Sequence, residues 1–259
     1  EHGTQELCGT EFEIEFKNVS FKYPGAENYA LQNVNLKIKN GEHLAVVGRN
    51  GSGKTTFIKL MCRLYDVTDG EILINGVNIK DYTKDSIIKL YSVVFQDFKI
   101  FSVSLKDNIC ANSDFEGDRF YTCLENADIK ERTEHMPNKE NTYLYKDLDE
   151  NGVEISGGEA QKLALARALY KDAPIVVLDE PTAALDPIAE NEIYTRFNTF
   201  VQGKTAIYIS HRLSSCAFCD KIAVFNNAKL AETGTHKDLL SAGGKYAELW
   251  NAQAKYYIQ

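Results

Sequence analysis

The sequence has no long apolar run. Its longest apolar stretches, such as Ile175 to Leu178, fall far short of the roughly 20 residues that a membrane-spanning helix needs, and we do not expect the opening residues to be a signal peptide. Basic residues are also in the minority, since 29 Lys and Arg face 37 Asp and Glu for a net charge of −8. This balance argues against binding the phosphate backbone of nucleic acids. We therefore expect this chain by itself to be soluble, with no nucleic-acid partner.

Cysteines are few and scattered. Of the six, only Cys216 and Cys219 lie close together, and neither a second CxxC nor histidines at metal-ligand spacing accompany them. Reduced thiols are expected in place of a zinc site or a disulfide framework. Internal repeats and low-complexity tracts are absent too, so the 259 residues, 44% of them hydrophobic, suit one large domain or one domain with a sizeable insertion.

The first third of the chain carries β-strand and helix signals. Apolar and polar residues alternate from Glu11 to Tyr23, which predicts a strand with one buried face. His43 to Val47 is a short apolar strand that ends at Gly48. Apolar residues then recur at helical spacing from Lys54 to Tyr65. The order is strand, glycine-rich turn, helix.

The remainder of the chain predicts a helical insertion followed by a return to strands. Polar helical segments without a strong strand run from about Ser102 to Asp147, and Ser156 opens a further helix through Lys171. Strands are predicted at Ile175 to Leu178 and at Thr205 to Ser210, and His236 to Trp250 is predicted to be helical. This pattern indicates a mainly parallel sheet covered on both faces.

The turn after the strand at His43 to Val47 fits the phosphate-binding pattern GxxxxGK[ST]. Glycines let the backbone amides turn inward, so those amides and the following helix N-terminus hold a phosphate anion. Lys54 is expected to contact the β- and γ-phosphates of ATP, and Thr55 to ligate Mg²⁺. The alternative is a surface glycine turn, which the strand before and the helix after disfavour. The predicted ATP-binding loop residues are Arg49, Asn50, Gly51, Ser52, Gly53, Lys54, Thr55 and Thr56.

A second half-site follows the strand Ile175 to Leu178, which ends in two acids. Parallel sheets present the carboxyl ends of their strands to ligands. Asp179 is expected to hold Mg²⁺, directly or through water, and Glu180 to act as general base on the attacking water. By itself this segment would fit a strand running into a charged turn. Beside the phosphate loop, the catalytic interpretation is favoured.

The segment Ile155 to Glu159, followed by a helix, resembles the signature sequence of ABC-transporter nucleotide-binding domains, usually LSGGQ. The resemblance spans roughly Phe12 to Ala254. It implies an α/β fold with a P-loop NTPase (RecA-like) core built on a mainly parallel sheet, an N-terminal antiparallel β-subdomain and an inserted α-helical subdomain. The implied boundaries are a linker at 1–10 and an ABC ATPase domain at 11–254, with the core at about 11–98 and 172–254 and the helical subdomain at about 99–171.

The resemblance also assigns roles to single residues. Tyr23 matches the aromatic residue that stacks on adenine, with an edge-strand aromatic as the alternative. Gln96 matches the glutamine that senses Mg²⁺ and water, and is expected both in catalysis and at the metal. Asp186 matches the D-loop aspartate at the ATP site. His211 matches the switch histidine near the γ-phosphate, with an unpaired histidine at a strand end as the alternative.

The signature further implies a head-to-tail dimer with two ATP molecules sandwiched, in which Ser156, Gly157, Gly158 and Glu159 meet the partner's ATP. Glu159 departs from the usual glutamine, and two interpretations remain open. With Ser156 it forms the pattern of a capping box, which is structural and favoured. Alternatively, its charge lies near the partner's γ-phosphate and weakens that site, which suggests a heterodimer. The sequence leaves homodimer and heterodimer open.

Three further stretches resemble ABC exporters, namely Asp149 to Gly152, Leu64 to Ile72 and Gly244 to Trp250. They imply an ATPase that powers export through associated transmembrane helices at the cytoplasmic face of the cell membrane. The polar residues Glu1 to Thr10 are then expected to be the linker that follows a last membrane helix. The alternatives are a soluble ABC ATPase of translation or DNA repair, an ABC importer ATPase, or a regulatory ATP-binding module without hydrolysis. Intact Glu180 and His211 argue against the last.

Overall fold

A computed structural model of the chain describes residues 3–111, 113–180, 195, 198–210, 213 and 217–256. The chain divides into two compact units. The first unit comprises Glu1–Tyr91, Pro174–Asp179 and Gly203–Gln259. The second unit comprises Ser92–Ala173 and Glu180–Gln202.

The described strands are β1 (Ile14–Phe21), β2 (Leu31–Ile38), β3 (His43–Gly48), β4 (Asp69–Ile74), β5 (Val77–Asn78), β6 (Tyr91–Val94), β7 (Ile175–Asp179), β8 (Thr205–Ile209), β9 (Lys221–Asn226) and β10 (Lys229–Gly234). The described α-helices are α1 (Lys54–Met61), α2 (Lys84–Leu90), α3 (Leu105–Cys110), α4 (Gly117–Asn126), α5 (Lys130–Glu134), α6 (Gly157–Lys171), α7 (His236–Ala242) and α8 (Lys245–Tyr256). Short 3₁₀ turns lie at Ile79–Asp81 and Lys139–Asn141. Strand β6 begins where the first unit passes into the second.

An antiparallel sheet in the order β2-β1-β4-β5 forms one layer of the first unit. Strand β1 buries Ile14, Phe16, Val19 and Phe21, as its alternating sequence predicts. Phe16 and Val19 are both buried although they are three residues apart and not two, because the strand pairing shifts between them. Asn18 takes a positive φ of 49° at this shift. That irregularity keeps both halves of the strand facing the core.

The second sheet of this unit runs in the order β10-β9-β3-β8-β7. Strand β3 pairs in parallel with β8 and β9, and β7 pairs in parallel with β8, while β10 is antiparallel to β9. All five residues of β7 are buried, as expected for a strand covered on both faces. Because parallel strands end at the same edge, Gly48 at the end of β3 and Asp179 at the end of β7 lie on one side of the sheet. The prediction of a mainly parallel sheet is confirmed.

Helix α1 is shorter than the sequence predicts. It ends at Met61 and does not reach Tyr65, because Arg63 adopts a left-handed φ of 52°. The Arg63 guanidinium donates hydrogen bonds to the carbonyls of Ile79 and Tyr82, at 3.1 and 2.6 Å. These bonds hold the chain in its turn. Leu64 is consequently 55% exposed and does not continue the buried face of the helix.

The C-terminal segment is helical from His236 to Trp250, as predicted, but it forms two helices with a break between them. Gly243 ends α7 with a left-handed φ of 66°, a conformation that suits glycine. The Glu232 carboxylate then accepts hydrogen bonds from the amides of Lys245 and Tyr246, at 2.5 and 3.1 Å. A carboxylate at this position satisfies the free amides that begin α8.

The second unit is mostly helical. The longest of its described helices, α6, packs against α3 and α4. Arg167 of α6 reaches across to α3, where its Nε donates to the carbonyl of Asn108 at 2.7 Å. Phe120 of α4 and Leu163 of α6 are fully buried. The region that the sequence predicts as polar helical segments therefore contains α3, α4 and α5, of which α3 and α4 pack against α6.

The N-terminal residues are tied to the first unit. The amide of Gln5 donates to the Asp81 carbonyl at 3.0 Å, and the Thr83 amide donates to the Gln5 carbonyl at 2.9 Å. The Glu6 carboxylate accepts hydrogen bonds from the hydroxyls of Ser86 and Thr83 at the start of α2. A linker role for residues 1–10 stays a prediction. Across the described ranges, from residue 3 to residue 256 with their gaps, no helix is long and apolar enough to cross a membrane.

Candidate nucleotide site

The loop between β3 and α1 has a shape that requires glycine. Gly51 and Gly53 take left-handed φ values of 73° and 108°. A β-carbon on Gly53 would lie 2.6 Å from Leu31 Cδ2 and 2.8 Å from the Ala30 carbonyl oxygen. One on Gly48 would lie 2.3 Å from the Phe225 carbonyl oxygen. The backbone thus approaches its neighbours too closely for any side chain at these two positions.

Lys54, the first residue of α1, is bent back over this loop. Its side chain is buried, and Nζ donates hydrogen bonds to the carbonyls of Gly48 at 3.0 Å and Arg49 at 3.2 Å. Those bonds fix the ammonium group beside the loop amides and the N-terminus of α1. Positive charge and a helix N-terminus on the same side of one loop form an anion-binding site.

Thr55 and Asp179 join the two predicted half-sites. The Thr55 hydroxyl donates to Asp179 Oδ2 at 3.1 Å, across 124 residues of sequence. Asp179 is 1% exposed, so its carboxylate is held by the end of β7 and removed from bulk water. A hydroxyl beside a carboxylate is a donor set of hard oxygens, which suits Mg²⁺.

Tyr23 lies against the same helix. Its hydroxyl and the Thr56 hydroxyl are 3.1 Å apart and share a hydrogen bond. The Tyr23 ring makes edge contacts with Phe21 and Tyr65, with centroids 4.9 and 5.2 Å away. Tyr23 is half-buried and is fixed in orientation by these three neighbours. The sequence did not predict the contacts with Thr56 and Tyr65, for which it carries no local signal.

The residues present fit ATP phosphates. The Ser52 side chain is buried, and no hydrogen-bond partner for its hydroxyl exists among the residues that the structure describes. A buried hydroxyl without a partner is costly, and a phosphate oxygen supplies the missing acceptor. The same loop lines a polar cleft of about 330 Å³. Arg49, Asn50 and Gly51 are exposed at its rim.

In the second unit, Ser156 is the N-cap of α6. Its hydroxyl accepts a hydrogen bond from the Glu159 amide at 3.2 Å, and Glu159 Oε2 accepts one from the Ser156 amide at 2.7 Å. This is a complete capping box, so the capping interpretation of Glu159 is confirmed. A β-carbon on Gly157 would meet nothing within 4 Å. Gly157 therefore leaves open space at the start of the helix.

Glu159 has a second partner that the sequence reasoning missed. Arg132 Nε of α5 donates to Glu159 Oε1 at 2.7 Å. Burial raises the pKa of the Glu159 carboxyl, whereas the hydrogen bonds from the Ser156 amide and from Arg132 lower it. The lowering effects together exceed the effect of burial, so the pKa lies below its ordinary value. The two residues are 27 apart in sequence, and no short-range pattern links them.

Glu180 follows β7 directly and takes a left-handed φ of 52°. Such a conformation is strained for glutamate and is frequent at functional sites. The side-chain amide of Gln161, from α6, donates to the Glu180 carbonyl at 3.4 Å. Gln96 is exposed in the turn after β6. Asp186 and His211 lie outside the described residues, so the predictions for both stand untested by the structure.

A phosphate loop between a parallel strand and a helix, joined to a carboxylate at the end of another parallel strand of the same sheet, defines the P-loop nucleoside triphosphatases. Comparison with known families narrows this class. Residues 31–183 match the family described as "ABC transporter". The chain belongs to the ABC transporter family and carries its ATP-binding ATPase domain.

Similar proteins agree with this assignment. The chain is 38% identical to the "ATP-dependent lipid A-core flippase" of Burkholderia orbicola over 97% of its own length and 42% of that protein's. It is 39% identical to the "Subtilin transport ATP-binding protein SpaT" of Bacillus subtilis, over 91% of the chain and 39% of that protein. A solved structure, "Structure of a bacterial Atm1-family ABC exporter with ATP bound", superposes with a TM-score of 0.89 at 34% identity, covering 96% of this chain and 43% of the other. The chain thus spans about two fifths of the length of these relatives.

Proposed function

We propose that this domain binds Mg-ATP, pairs head to tail with a second nucleotide-binding domain, hydrolyses the ATP and thereby powers export of a substrate across a membrane. The observation that carries the proposal is the 3.1 Å contact between Thr55 and Asp179, because it assembles the metal-binding half-sites of an ATPase. The buried Lys54 ammonium beside them supplies the phosphate-binding charge.

For nucleotide binding, we assign the adenine to the Tyr23 ring and the phosphates to the loop from Arg49 to Thr56. A base stacked on an aromatic ring contributes about 1 to 3 kcal/mol with little preference among bases. Support for the Tyr23 assignment comes from its hydroxyl contact with Thr56, which holds the ring next to the helix that begins in the loop. Weak discrimination of ATP from GTP follows.

Thr55, Asp179 and Gln96 would hold Mg²⁺. When bound, the ion neutralises phosphate charge that develops during transfer of the γ-phosphoryl group. The chain's own contribution is to keep Thr55 and Asp179 oriented before nucleotide arrives, which the hydrogen bond between them supports.

For hydrolysis, Glu180 takes the proton of the attacking water, and His211 donates a hydrogen bond to the γ-phosphate and aligns the water with Glu180. Asp186 completes the site from the D-loop. The left-handed backbone at Glu180 supports a functional role, because such strain is retained where it serves a site.

Pairing places the start of α6 against the other subunit's ATP. The amides that follow the Ser156 N-cap, with Gly157 and Gly158, form an anion site that the partner's γ-phosphate occupies. ATP then bridges the subunits, and hydrolysis removes the bridge and lets them open. The partner is a second copy of this chain or a related domain. Gln96 and Glu150 are assigned to relay closure to the transmembrane helices of an exporter at the cytoplasmic face of the membrane, a role that the transport names of the relatives support.

The test is the substitution Glu180→Gln. We expect the variant to keep ATP affinity, to lose turnover by about 100-fold or more as the general base is removed, and to accumulate an ATP-dependent dimer in analytical ultracentrifugation. Lys54→Ala is the matched control. Loss of its charge-assisted hydrogen bonds should weaken ATP binding by roughly 10- to 100-fold and abolish the dimer.

Normal turnover by Glu180→Gln would refute the assignment of the base, and unchanged ATP affinity of Lys54→Ala would remove the loop from its role. ATPase activity of the isolated chain separates the two kinds of partner. A Hill coefficient well above one supports a homodimer, and a coefficient near one with a low rate supports a heterodimer.

A further inference from the structure

The start of α6 carries a negative charge where the proposed function requires an anion site. Glu159 is in the first turn of the helix, and its Oε2 is bonded to the Ser156 amide at 2.7 Å. Hydrogen bonding lowers the pKa of its carboxyl below the ordinary value, so the group is ionised at neutral pH. A carboxylate in this position repels the γ-phosphate that the amides of the same turn attract.

Arg132 is the counter-charge. Its Nε donates to Glu159 Oε1 at 2.7 Å, so each carboxylate oxygen of Glu159 has one strong donor. The side chains are 42% and 26% exposed, and an ion pair this exposed adds little to folding stability. Other basic side chains on this face have acids of their own. Lys130 pairs with Glu125 at 2.9 Å, and Lys162 pairs with Asp128 at 2.7 Å.

We infer that Arg132 is a positioning residue of the composite ATP site, which acts by neutralising Glu159 so that the start of α6 accepts the partner subunit's γ-phosphate. This inference rests on the proposed head-to-tail pairing. The ion pair converts an isolated negative charge into a dipole, whose field declines faster with distance. The chain thereby retains the capping box of Glu159 without the electrostatic penalty that the carboxylate alone would impose.

The size of the effect follows from Coulomb's law. One unit charge about 10 Å from a phosphate charge, at an effective dielectric constant of about 20 to 80, changes the binding constant between about twofold and about fifteenfold. A homodimer contains two such sites, so the change in its association constant is the square of that factor. Because the groups are partly exposed, added salt should reduce it.

The experiment uses the chain with Glu180→Gln as parent, so that ATP-bound dimers accumulate. Four variants are made on it, namely Arg132→Gln, Arg132→Lys, Glu159→Gln and the double variant Arg132→Gln/Glu159→Gln. Lys130→Gln is the matched control. Lys130 lies on the same short helix as Arg132, but its ammonium group pairs with Glu125 and not with Glu159. The ATP-dependent association constant is measured by sedimentation velocity at about 0.1 M and about 1 M salt, where the screening length falls from about 10 Å to about 3 Å.

We expect Arg132→Gln to weaken association by about 4-fold or more at low salt, and the loss to shrink at high salt. Arg132→Lys, which keeps the charge, should stay near the parent. Glu159→Gln should associate at least as tightly as the parent, since glutamine also completes a capping box. The double variant should recover to the parent's value, and Lys130→Gln should leave it unchanged.

The inference is overturned when the parent pairs normally and Arg132→Gln pairs equally well. It is also overturned when the double variant associates no more tightly than Arg132→Gln, because the charge of Glu159 then does not cause the loss. Thermal melts of the same variants show whether a loss of stability accounts for it instead. A parent that does not pair with ATP overturns this inference for two identical chains and leaves the heterodimer form of the proposed function standing, so the two failures are distinguishable.

Discussion

Two glycines of the phosphate loop separate the effect of backbone conformation from that of steric space. Gly51 and Gly53 both take left-handed φ values, 73° and 108°. A β-carbon on Gly51 would meet nothing within 4 Å, whereas one on Gly53 would lie 2.6 Å from Leu31 Cδ2 and 2.8 Å from the Ala30 carbonyl oxygen. Leu31 is fully buried in β2, so it has little room to move.

The substitutions Gly51→Ala and Gly53→Ala therefore share one cost and differ in another. Alanine in a left-handed conformation costs about 1 to 2 kcal/mol, and the stiffer unfolded chain returns about 0.4 to 1 kcal/mol. The unfolded-chain term applies equally to both variants, and the conformational cost is at least as large at the φ of 108° as at the φ of 73°. Gly53→Ala adds overpacking against Leu31 and the Ala30 carbonyl, typically about 1 to 3 kcal/mol. We expect its free energy of unfolding to lie below that of Gly51→Ala by at least that amount.

Urea unfolding without nucleotide measures the difference. Trp250, the single tryptophan, belongs to the first unit together with both glycines, so its fluorescence reports on the unit that the substitutions affect. The midpoints should differ while the slope of free energy against urea stays constant. Equal midpoints, or a lower midpoint for Gly51→Ala, would refute the argument that close packing excludes a side chain at Gly53.

Two further predictions concern the second unit. Gly152→Ala would place a β-carbon 1.7 Å from the Tyr145 carbonyl oxygen and should lower the melting temperature by several degrees. In the control, Gly117→Ala, the new β-carbon would lie 4.0 Å from its nearest neighbour, so the melting temperature should stay unchanged or rise. Equal melting temperatures of the two variants by calorimetry would contradict this prediction. The hydrogen bond from Tyr121 to Glu140, at 2.7 Å, raises the pKa of Tyr121 to about 12, so its stabilising effect is present below pH 10 and lost as pH rises from 10 to about 12. Glu140→Ala should lower this pKa in ultraviolet difference titrations against Tyr121→Phe, although burial and Glu134 still raise it, and an unmoved titration would contradict the assignment.

Local sequence signals were enough to predict the elements that carry the nucleotide loop. The buried strand before Gly48 and the helix from Lys54 are confirmed, because glycine spacing and apolar periodicity act over a few residues. The capping box at Ser156 and Glu159 is confirmed for the same reason, since its two hydrogen bonds join residues three apart.

Where long-range contacts decide the outcome, the sequence was less informative. The end of α1 at Met61 depends on hydrogen bonds from Arg63 to the carbonyls of residues 79 and 82. The apolar spacing through Tyr65 does not indicate these contacts. The break between α7 and α8 combines a local signal, Gly243, with a distant one, the Glu232 carboxylate that caps the second helix. The glycine pointed to a helix end that the apolar pattern concealed.

The sequence by itself determined the chemistry of this protein: a loop with the glycines, the lysine and the threonine of a phosphate site, an acid-ended strand, and the signature of the ABC transporter family. Only the tertiary structure decided which distant groups meet. Parallel pairing through β8 places Asp179 beside Thr55, and the packing of α5 near the start of α6 gives Glu159 its counter-charge in Arg132. Strand order and helix packing determine such contacts. The contacts join residues far apart in sequence, and local periodicity does not predict which distant residues meet.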